Sequence, residues 1–334
     1  MNILFTCAGR RTYLLEYFRQ NLESEDKLVA TDMQLSAPAL TAADFKEQVP
    51  PVSADDYISR TLDICKKYGV QCIIPLNDLE LPVLSQNLEL FKENGITPIV
   101  SNPEIIDICF DKFKTHKLIE SLGLNSPKTY INFNEALEAI AEGRLNFPLV
   151  LKPRWGSGSI GIEFVNTVEE LKDVYTLLQK KIRSSILAGA SKAEDNILIQ
   201  EKINGQEYGM DVMNDLKGLN RGISVKKKLA MRAGETDKAE TVDNPEIRAI
   251  GKKLAENLRH IGNLDVDVFE HEGSYYVLEL NPRFGGGFPF SYEAGANFPK
   301  AIVEWMKGRD IDNSILCPRI GEGFAKCDRL VSVK

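Results

Sequence analysis

The chain has 334 residues, 43% hydrophobic and 27% charged, which is enough for a sizeable core and for two or three structural units. A formal net charge of −7 argues against a general nucleic-acid or anionic-membrane surface, and no run approaches the roughly 18 apolar residues of a membrane span. The six cysteines form no Cys-x-x-Cys pair and the three histidines (His116, His260, His271) are scattered, which argues against zinc and fits reduced thiols in a cytoplasmic protein.

The N-terminus has no charged stretch before its short apolar run, so it reads as a first strand over 3–7 rather than a signal peptide. A helix follows over 10–22, with Leu14, Leu15, Phe18 and Leu22 at helical spacing. A strand over 28–31 ends at Asp32. A helix over 57–68, a strand over 72–75, a helix over 83–93 and a strand over 97–101 complete the first hundred residues. Strands alternating with helices predict a doubly wound parallel sheet. The turn Cys7-Ala8-Gly9-Arg10-Arg11 stands where a phosphate binds in such sheets, but it lacks the three-glycine dinucleotide fingerprint. Asp32 and the turn from Asn77 to Glu80 face either a substrate or the caps of neighbouring helices.

After a break at Ser101-Asn102-Pro103, helical signal runs over 104–121 and 134–142, with strands over 129–131 and 147–152. A loop over 154–161 leads to a strand over 162–165 and a long helix over 169–183. A flexible connector is expected over 184–195. Strands are expected over 197–202, 207–214 and 225–231, then a polar loop through Thr241 and a helix over 245–261. Two alternating runs, 266–269 and 275–283, flank the Glu272-Gly273-Ser274 turn as a hairpin. A glycine loop at 285–287, a helix over 301–307 and a closing strand over 324–333 end the chain.

Four features carry chemistry. In the hairpin, Glu279 and Asn281 share a face, and Asp267 joins them from the partner strand. Two carboxylates and an amide oxygen suit Mg²⁺ with phosphate oxygens, or else form a wet polar face. Arg283 follows, with a fork suited to phosphate or carboxylate. The strand carrying Lys152 runs into a loop with Ser157, Gly158 and Ser159, whose amides form either an anion nest or a plain turn. The strand ending at Glu201, Lys202 and Ile203 reads as an edge offering free backbone groups to an adenine, and Glu207 beyond Gly205 accepts ribose hydroxyls or is merely solvated. Lys112 alone reads as an ordinary surface lysine. Lys226, Lys228, Arg232 and Glu235 line an acceptor, or form a solvated strand end.

In this order and spacing the features resemble the ATP-grasp superfamily, most closely the group around the large subunit of carbamoyl-phosphate synthase, biotin carboxylase and the pyrrolysine-pathway amino-acid ligase. The resemblance covers about residues 1–310. Its specific parts are Glu279-Leu280-Asn281-Pro282-Arg283 and Lys152 with its loop. It implies an α/β fold: a Rossmann-like doubly wound domain over 1–103, then a two-lobed ATP-grasp domain with a small lobe over 104–195 and a metal-bearing C-terminal lobe over 196–334. It implies that Lys112 and Lys152 touch ATP phosphates and that the loop over 154–161, with Ser157, Gly158 and Ser159, closes on the triphosphate. Glu201, Lys202 and Ile203 would read adenine, and Glu207 the ribose. Asp267, Glu279 and Asn281 would hold metal, although the carbamoyl-phosphate enzymes carry Gln where this chain has Asp267. Arg283 and Lys152 would act at the transferred phosphate.

The implied cofactors are ATP and two Mg²⁺ ions, with Mn²⁺ as a substitute. The implied reaction activates a small-molecule carboxylate as an acylphosphate for attack by an amine. A homodimer is an expectation of the resemblance alone, and no nucleic-acid or membrane partner is expected. With a single copy of the unit and no biotin-carrier or glutaminase segment, a stand-alone carboxylate–amine ligase is expected. The alternative is a non-catalytic ATP-binding regulatory protein.

Overall fold

In the computed structural model, residues 1–156, 161–185 and 195–333 are described. The first hundred residues form β1 (Asn2–Thr6), α1 (Thr12–Arg19), β2 (Leu28–Asp32), β3 (Phe45–Gln48), α2 (Tyr57–Tyr68), β4 (Val70–Pro75), α3 (Leu81–Ser85), α4 (Leu88–Glu93) and β5 (Thr97–Pro98). The sheet is parallel in the order β3-β2-β1-β4-β5. Its central strands carry continuous apolar stretches, Ile3–Phe5 and Cys72–Ile74 among them, because both faces are covered. Ile3 and Phe5 pack to one side with Cys72 and Ile74, while Leu4 and Ile73 pack to the other. The strand order reverses between β1 and β4, so the turns after these two strands border the crevice where ligands sit in such sheets.

The chain continues through α5 (Pro103–Phe110), α6 (Lys112–Ser121), β6 (Thr129–Tyr130), α7 (Phe133–Ala141), β7 (Leu149–Pro153), β8 (Glu163–Val165), α8 (Val168–Arg183) and β9 (Ile197–Glu201). β6, β9, β7 and β8 form an antiparallel sheet in that order. Leu149, Leu151, Val165, Ile197 and Ile199 face α7 and α8. By strand alternation the other face carries Val150, Lys152 and Phe164.

β10 (Gln206–Asn214), β11 (Asn220–Arg232), β12 (Glu235–Thr241), α9 (Pro245–Leu258), β13 (Gly262–His271), β14 (Ser274–Asn281), α10 (Phe288–Glu293), α11 (Phe298–Met306) and β15 (Gly323–Ala325) follow. The six strands form a sheet in the order β14-β13-β10-β11-β12-β15. One face packs α9, through Ile247, Leu254 and Leu258. The core around β1 and α1 also includes Phe284, Phe288, Phe298 and Ile302. The end of the chain thus covers one face of the first sheet, and that core crosses the boundary expected near 103.

Several expectations need correction. The helical signal over 104–121 is two helices, because Asp111 takes an extended conformation and caps α6, accepting from Phe113 N at 3.0 Å. The 83–93 signal likewise splits where the Asn87 side chain donates to the Val83 carbonyl at 2.9 Å. The polar loop expected before Thr241 is β12, whose buried residues Thr236, Ala239 and Thr241 punctuate a wet outer face. The closing strand is only β15, since alternation forms no strand where no partner runs alongside. β3 and α10 were not anticipated. The first is a four-residue polar edge strand and the second lies directly after three glycines.

Candidate active site

Antiparallel register builds the hairpin face directly. Asp267 pairs with Glu279, and Asp265 pairs with Asn281, so four oxygen-bearing side chains stand two by two. All four line one open cleft, with Arg283, Lys226, Lys228, Arg11 and Glu235 also on its walls. Asp265 is the member that sequence reasoning missed, although it sits one alternation before Asp267. Gly285 is required beside it, because a Cβ there would lie 2.2 Å from the Asp265 carboxylate. Burial and the neighbouring Asp267 push the Asp265 carboxyl up to about 6.

Ammonium groups converge on the same face. Lys112, the first residue of α6, places Nζ 3.2 Å from Glu279 Oε1 and also donates to the Gly156 carbonyl. It is 10% exposed, so the surface-lysine reading fails. Lys152 is 5% exposed on β7. Burial lowers its pKa to about 8, against the pull of Glu279 and with help from Lys112. Lys228 bridges Glu207 and Asp267 at 2.6 Å each. Burial opposes its charge, yet these two carboxylates hold it above the ordinary lysine value. Burial, with Asp267 and Glu279 nearby, pushes Glu207 up despite Lys228. Glu207 therefore belongs to the same cluster as the hairpin carboxylates.

Arg283 is committed to carboxylates. Its Nη2 and Nε reach Asp78 at 2.7 and 3.2 Å, and its Nη1 reaches Asp265 at 3.0 Å. Arg154 forks onto Asp111 at 2.8 and 2.7 Å. Ser157, Gly158 and Ser159 lie outside the described residues.

The adenine-facing expectation needs revision at one point. β9 is not an edge strand, because β6 pairs on one side and β7 on the other. Glu201 N donates to the Lys128 carbonyl at 2.9 Å, and its side chain accepts from Lys128 N at 3.3 Å. Lys202 and Ile203 lie just beyond the end of the strand. Lys202 Nζ stands 5.2 Å from the centre of the Phe164 ring, which is 58% exposed on the same sheet face as Lys152. Phe164 carried no signal in the sequence, since one aromatic in a short strand reads as core.

Other candidates take structural roles. Asp32 accepts from Gly9 N and Gln34 N, both at 2.9 Å, and so shapes the turn after β1. Lys226 is fully buried on Asp211 and Ser291, and is no solvated strand end. Arg232 turns outward to Asp237 and Asp328. Among the described residues no group of three or more His, Cys, Asp or Glu side chains forms a metal cage by itself. Two carboxylates and an amide on one face are a partial donor set, of the kind that phosphate oxygens and water complete around Mg²⁺. Among the described residues no helix is long and apolar enough to cross a membrane.

Two family models match the chain. A PylC-like N-terminal domain matches residues 3–99, and an ATP-grasp domain matches residues 109–287. The carbamoyl phosphate synthase large chain of Thermoanaerobacter sp. (strain X514) is 29% identical over 232 residues, which is 66% of this chain and 20% of that protein. The chain thus spans about a fifth of that curated relative. Among solved structures, biotin carboxylase from Campylobacter jejuni, as a β-γ-ATP complex, superimposes with a TM-score of 0.75 at 16% identity, covering 96% of this chain and 74% of that one. The biotin carboxylase domain of Hydrogenobacter thermophilus 2-oxoglutarate carboxylase, in complex with MgADP and bicarbonate, gives 0.73 at 19%, covering 96% and 73%. The ATP-grasp model alone accounts for more than half of the 334 residues, and the chain belongs to the ATP-grasp family.

Proposed function

We propose that the protein is an ATP- and Mg²⁺-dependent ligase that converts a small-molecule carboxylate to an acylphosphate, which an amine then attacks. The observation that carries this reading is the convergence of Lys112, Lys228 and the Asp267–Glu279 pair in one face beside Asn281. Phosphoryl transfer needs positioning and charge neutralisation more than a protein nucleophile. Lys112 and Lys152 hold the phosphates, Glu207 the ribose, and Lys202 and Ile203 the adenine edge over Phe164. Asp267, Glu279 and Asn281 hold Mg²⁺, which when bound neutralises the transferring phosphate. Arg283, tied to Asp78 and Asp265, fixes the hairpin relative to the first sheet.

The balance is simple. A carboxylate oxygen of the substrate attacks the terminal phosphorus, and the bond to ADP breaks. The amine nitrogen then attacks the acyl carbon, phosphate leaves, and the nitrogen loses a proton. The family match and the MgADP complex of a structural neighbour support the nucleotide assignment. Domain limits near 103 and 195 follow the same reading, with β7 and the β13–β14 hairpin on opposite sides of the nucleotide.

The test is phosphate release from Mg·ATP with pooled small carboxylic acids and amines. Glu279→Gln is expected to lower turnover by about 10²-fold or more. Unchanged turnover in that variant refutes the mechanism.

A further inference from the structure

The outer end of the β11–β12 hairpin is poorly coupled to the rest of its sheet. The ladder breaks twice: Leu229 has no partner between the Lys228–Ala239 and Ala230–Lys238 pairs, and Asp237 has none between Lys238 and Thr236. Each bulge bends its strand and interrupts the ladder locally. Past the breaks the hairpin closes in a two-residue turn, Ala233-Gly234, with positive φ at both residues. Met231, Gly234, Glu235 and Thr236 of this tip line the cleft, and Arg11, after the β1 turn, lines it from the side of the first sheet.

A short run of chain joins these two walls. β15 pairs with β12 from Gly323 to Ala325, and the antiparallel register aims the chain at the tip. Lys326 N then donates to the carbonyl of Asp237, at the second break, at 2.8 Å. From there the charged side chains take partners in turn. Lys326 reaches Glu235 at 3.1 Å, Asp328 pairs with Arg232 at 2.9 Å, and Arg329 reaches Glu16 at 2.6 Å. Glu235 and Arg232 belong to the hairpin tip, whereas Glu16 is on α1, which packs on the first sheet. Arg10, exposed on the β1 turn, acts electrostatically on both Glu235 and Asp328, so the run passes in front of that turn. The fastening is ionic and wet. Arg232, Asp328, Arg329 and Glu16 are 42–71% exposed, and Leu330, the next residue, is 99% exposed.

We propose that residues 326–329 are a strap that latches the β11–β12 tip to α1 across one mouth of the cleft, and that its release opens the cleft to the small-molecule substrate. The latch stands on the contacts, and its effect on substrate rests on the ligase reading above. Exposed ion pairs are each worth little and are screened by salt, so the strap is easily undone. Its partners are on α1, β11 and β12. The phosphate and adenine groups proposed above, Lys112, Lys152 and Lys202, are on α6, on β7 and after β9, so nucleotide affinity should not follow the latch.

The test uses the full chain. Cys327 lies on the strap and, like Cys317, is exposed. A nitroxide on Cys327, with Cys317 replaced by Ser, reports strap motion through its EPR line shape. Asp328→Asn with Arg329→Gln is expected to narrow the spectrum, as is about 0.5 M NaCl on the unaltered strap. Arg329→Glu should also narrow it, and Glu16→Arg added to Arg329→Glu should restore the broad form. Phosphate release from Mg·ATP is read in parallel against a dilution series of the pooled acids and amines. The opened variants should need about threefold to tenfold more of the pool for half-saturation, with KM for ATP unchanged and the charge swap again restoring the wild-type value. An unchanged spectrum in the double variant overturns the latch, and so does a charge swap that fails to reverse Arg329→Glu. Unchanged half-saturation, or an equal shift in KM for ATP, overturns its role at the cleft. The ligase reading fails separately, through full turnover in Glu279→Gln, and the spectra decide the latch in either case.

Discussion

Arg283 Nη2 lies 2.7 Å from Asp78 Oδ2, although the two residues are 205 positions apart in the chain. One side chain therefore joins the β14 hairpin to the turn after β4, and both side chains are less than 10% exposed. A buried pair of this kind contributes little net stability over an apolar replacement, but losing one partner strands the other.

Asp78→Ala is accordingly expected to cost about 2–4 kcal/mol in denaturant unfolding, moderated by the remaining Asp265 contact. It should also lower turnover by misplacing Arg283. A shift under about 0.5 kcal/mol would place the tie among ordinary surface pairs.

Lys152 gives a pH prediction that rests on its proposed contact with ATP phosphates. Burial holds its pKa at about 8 in the free protein, against an ordinary value of 10.5. The ammonium is present below about 8, so KM for ATP should be flat there and rise above it, by up to about tenfold per pH unit. Lys152→Arg, always charged, should flatten the rise. Between about 8 and 10.5 the unfolded chain binds the extra proton, so stability from this group increases across the window in which affinity falls. A KM profile identical in wild type and Lys152→Arg would remove Lys152 from the site.

How much of this was legible depended on whether a residue's signal was local. The strand–helix alternation of β1–β4 and Lys152 at the end of its strand follow from short apolar runs, and the Glu279–Asn281 pair from period-two patterning, each within a few residues. Asp265 obeyed the same rule and was passed over because Asp267 completed a familiar triplet. Lys228, the turn holding Asp78 and the turn ending at Arg11 were offered by the sequence as site candidates, but their partners were illegible, since these lie tens to hundreds of residues away. β12 was misread because its charged outer face hides three small buried residues. The reading of β9 as an edge failed because the two-residue β6 that covers it leaves almost no pattern of its own.

Glu80 offers a stability test away from the nucleotide. It is fully buried, and its carboxylate accepts from Tyr57 Oη. Burial raises its pKa to about 7 from 4.5. The native state therefore binds the proton more tightly, and the stability this group contributes at low pH is lost as pH rises from about 4.5 to about 7. Glu80→Gln, which keeps an acceptor for Tyr57, should gain on wild type by up to about 3 kcal/mol at pH 8 and by nothing at pH 4. Denaturant midpoints at the two pH values decide it, and a pH-independent difference would contradict the buried-carboxyl account.

Gly205→Ala probes the turn that leads to Glu207. A Cβ there would stand 1.9 Å from the Glu270 carbonyl oxygen and 2.8 Å from its carbon, both backbone atoms that cannot swing aside. The expected cost is about 3 kcal/mol or more in thermal or denaturant unfolding. Gly323→Ala, with no atom within 4 Å of the new methyl, serves as the control and should stay within about 0.5 kcal/mol. Equal behaviour of the two variants would refute the close approach.

Asp111 accepts from the first amides of α6 and forks with Arg154, so a single acid clamps the start of the Lys112 helix to the residue two beyond Lys152. The two ammonium-bearing segments are consequently yoked rather than independent. Anyone retuning one flank of this cleft, whether by directed evolution or by grafting, inherits a displacement on the other flank, and compensating changes should appear in pairs astride that yoke.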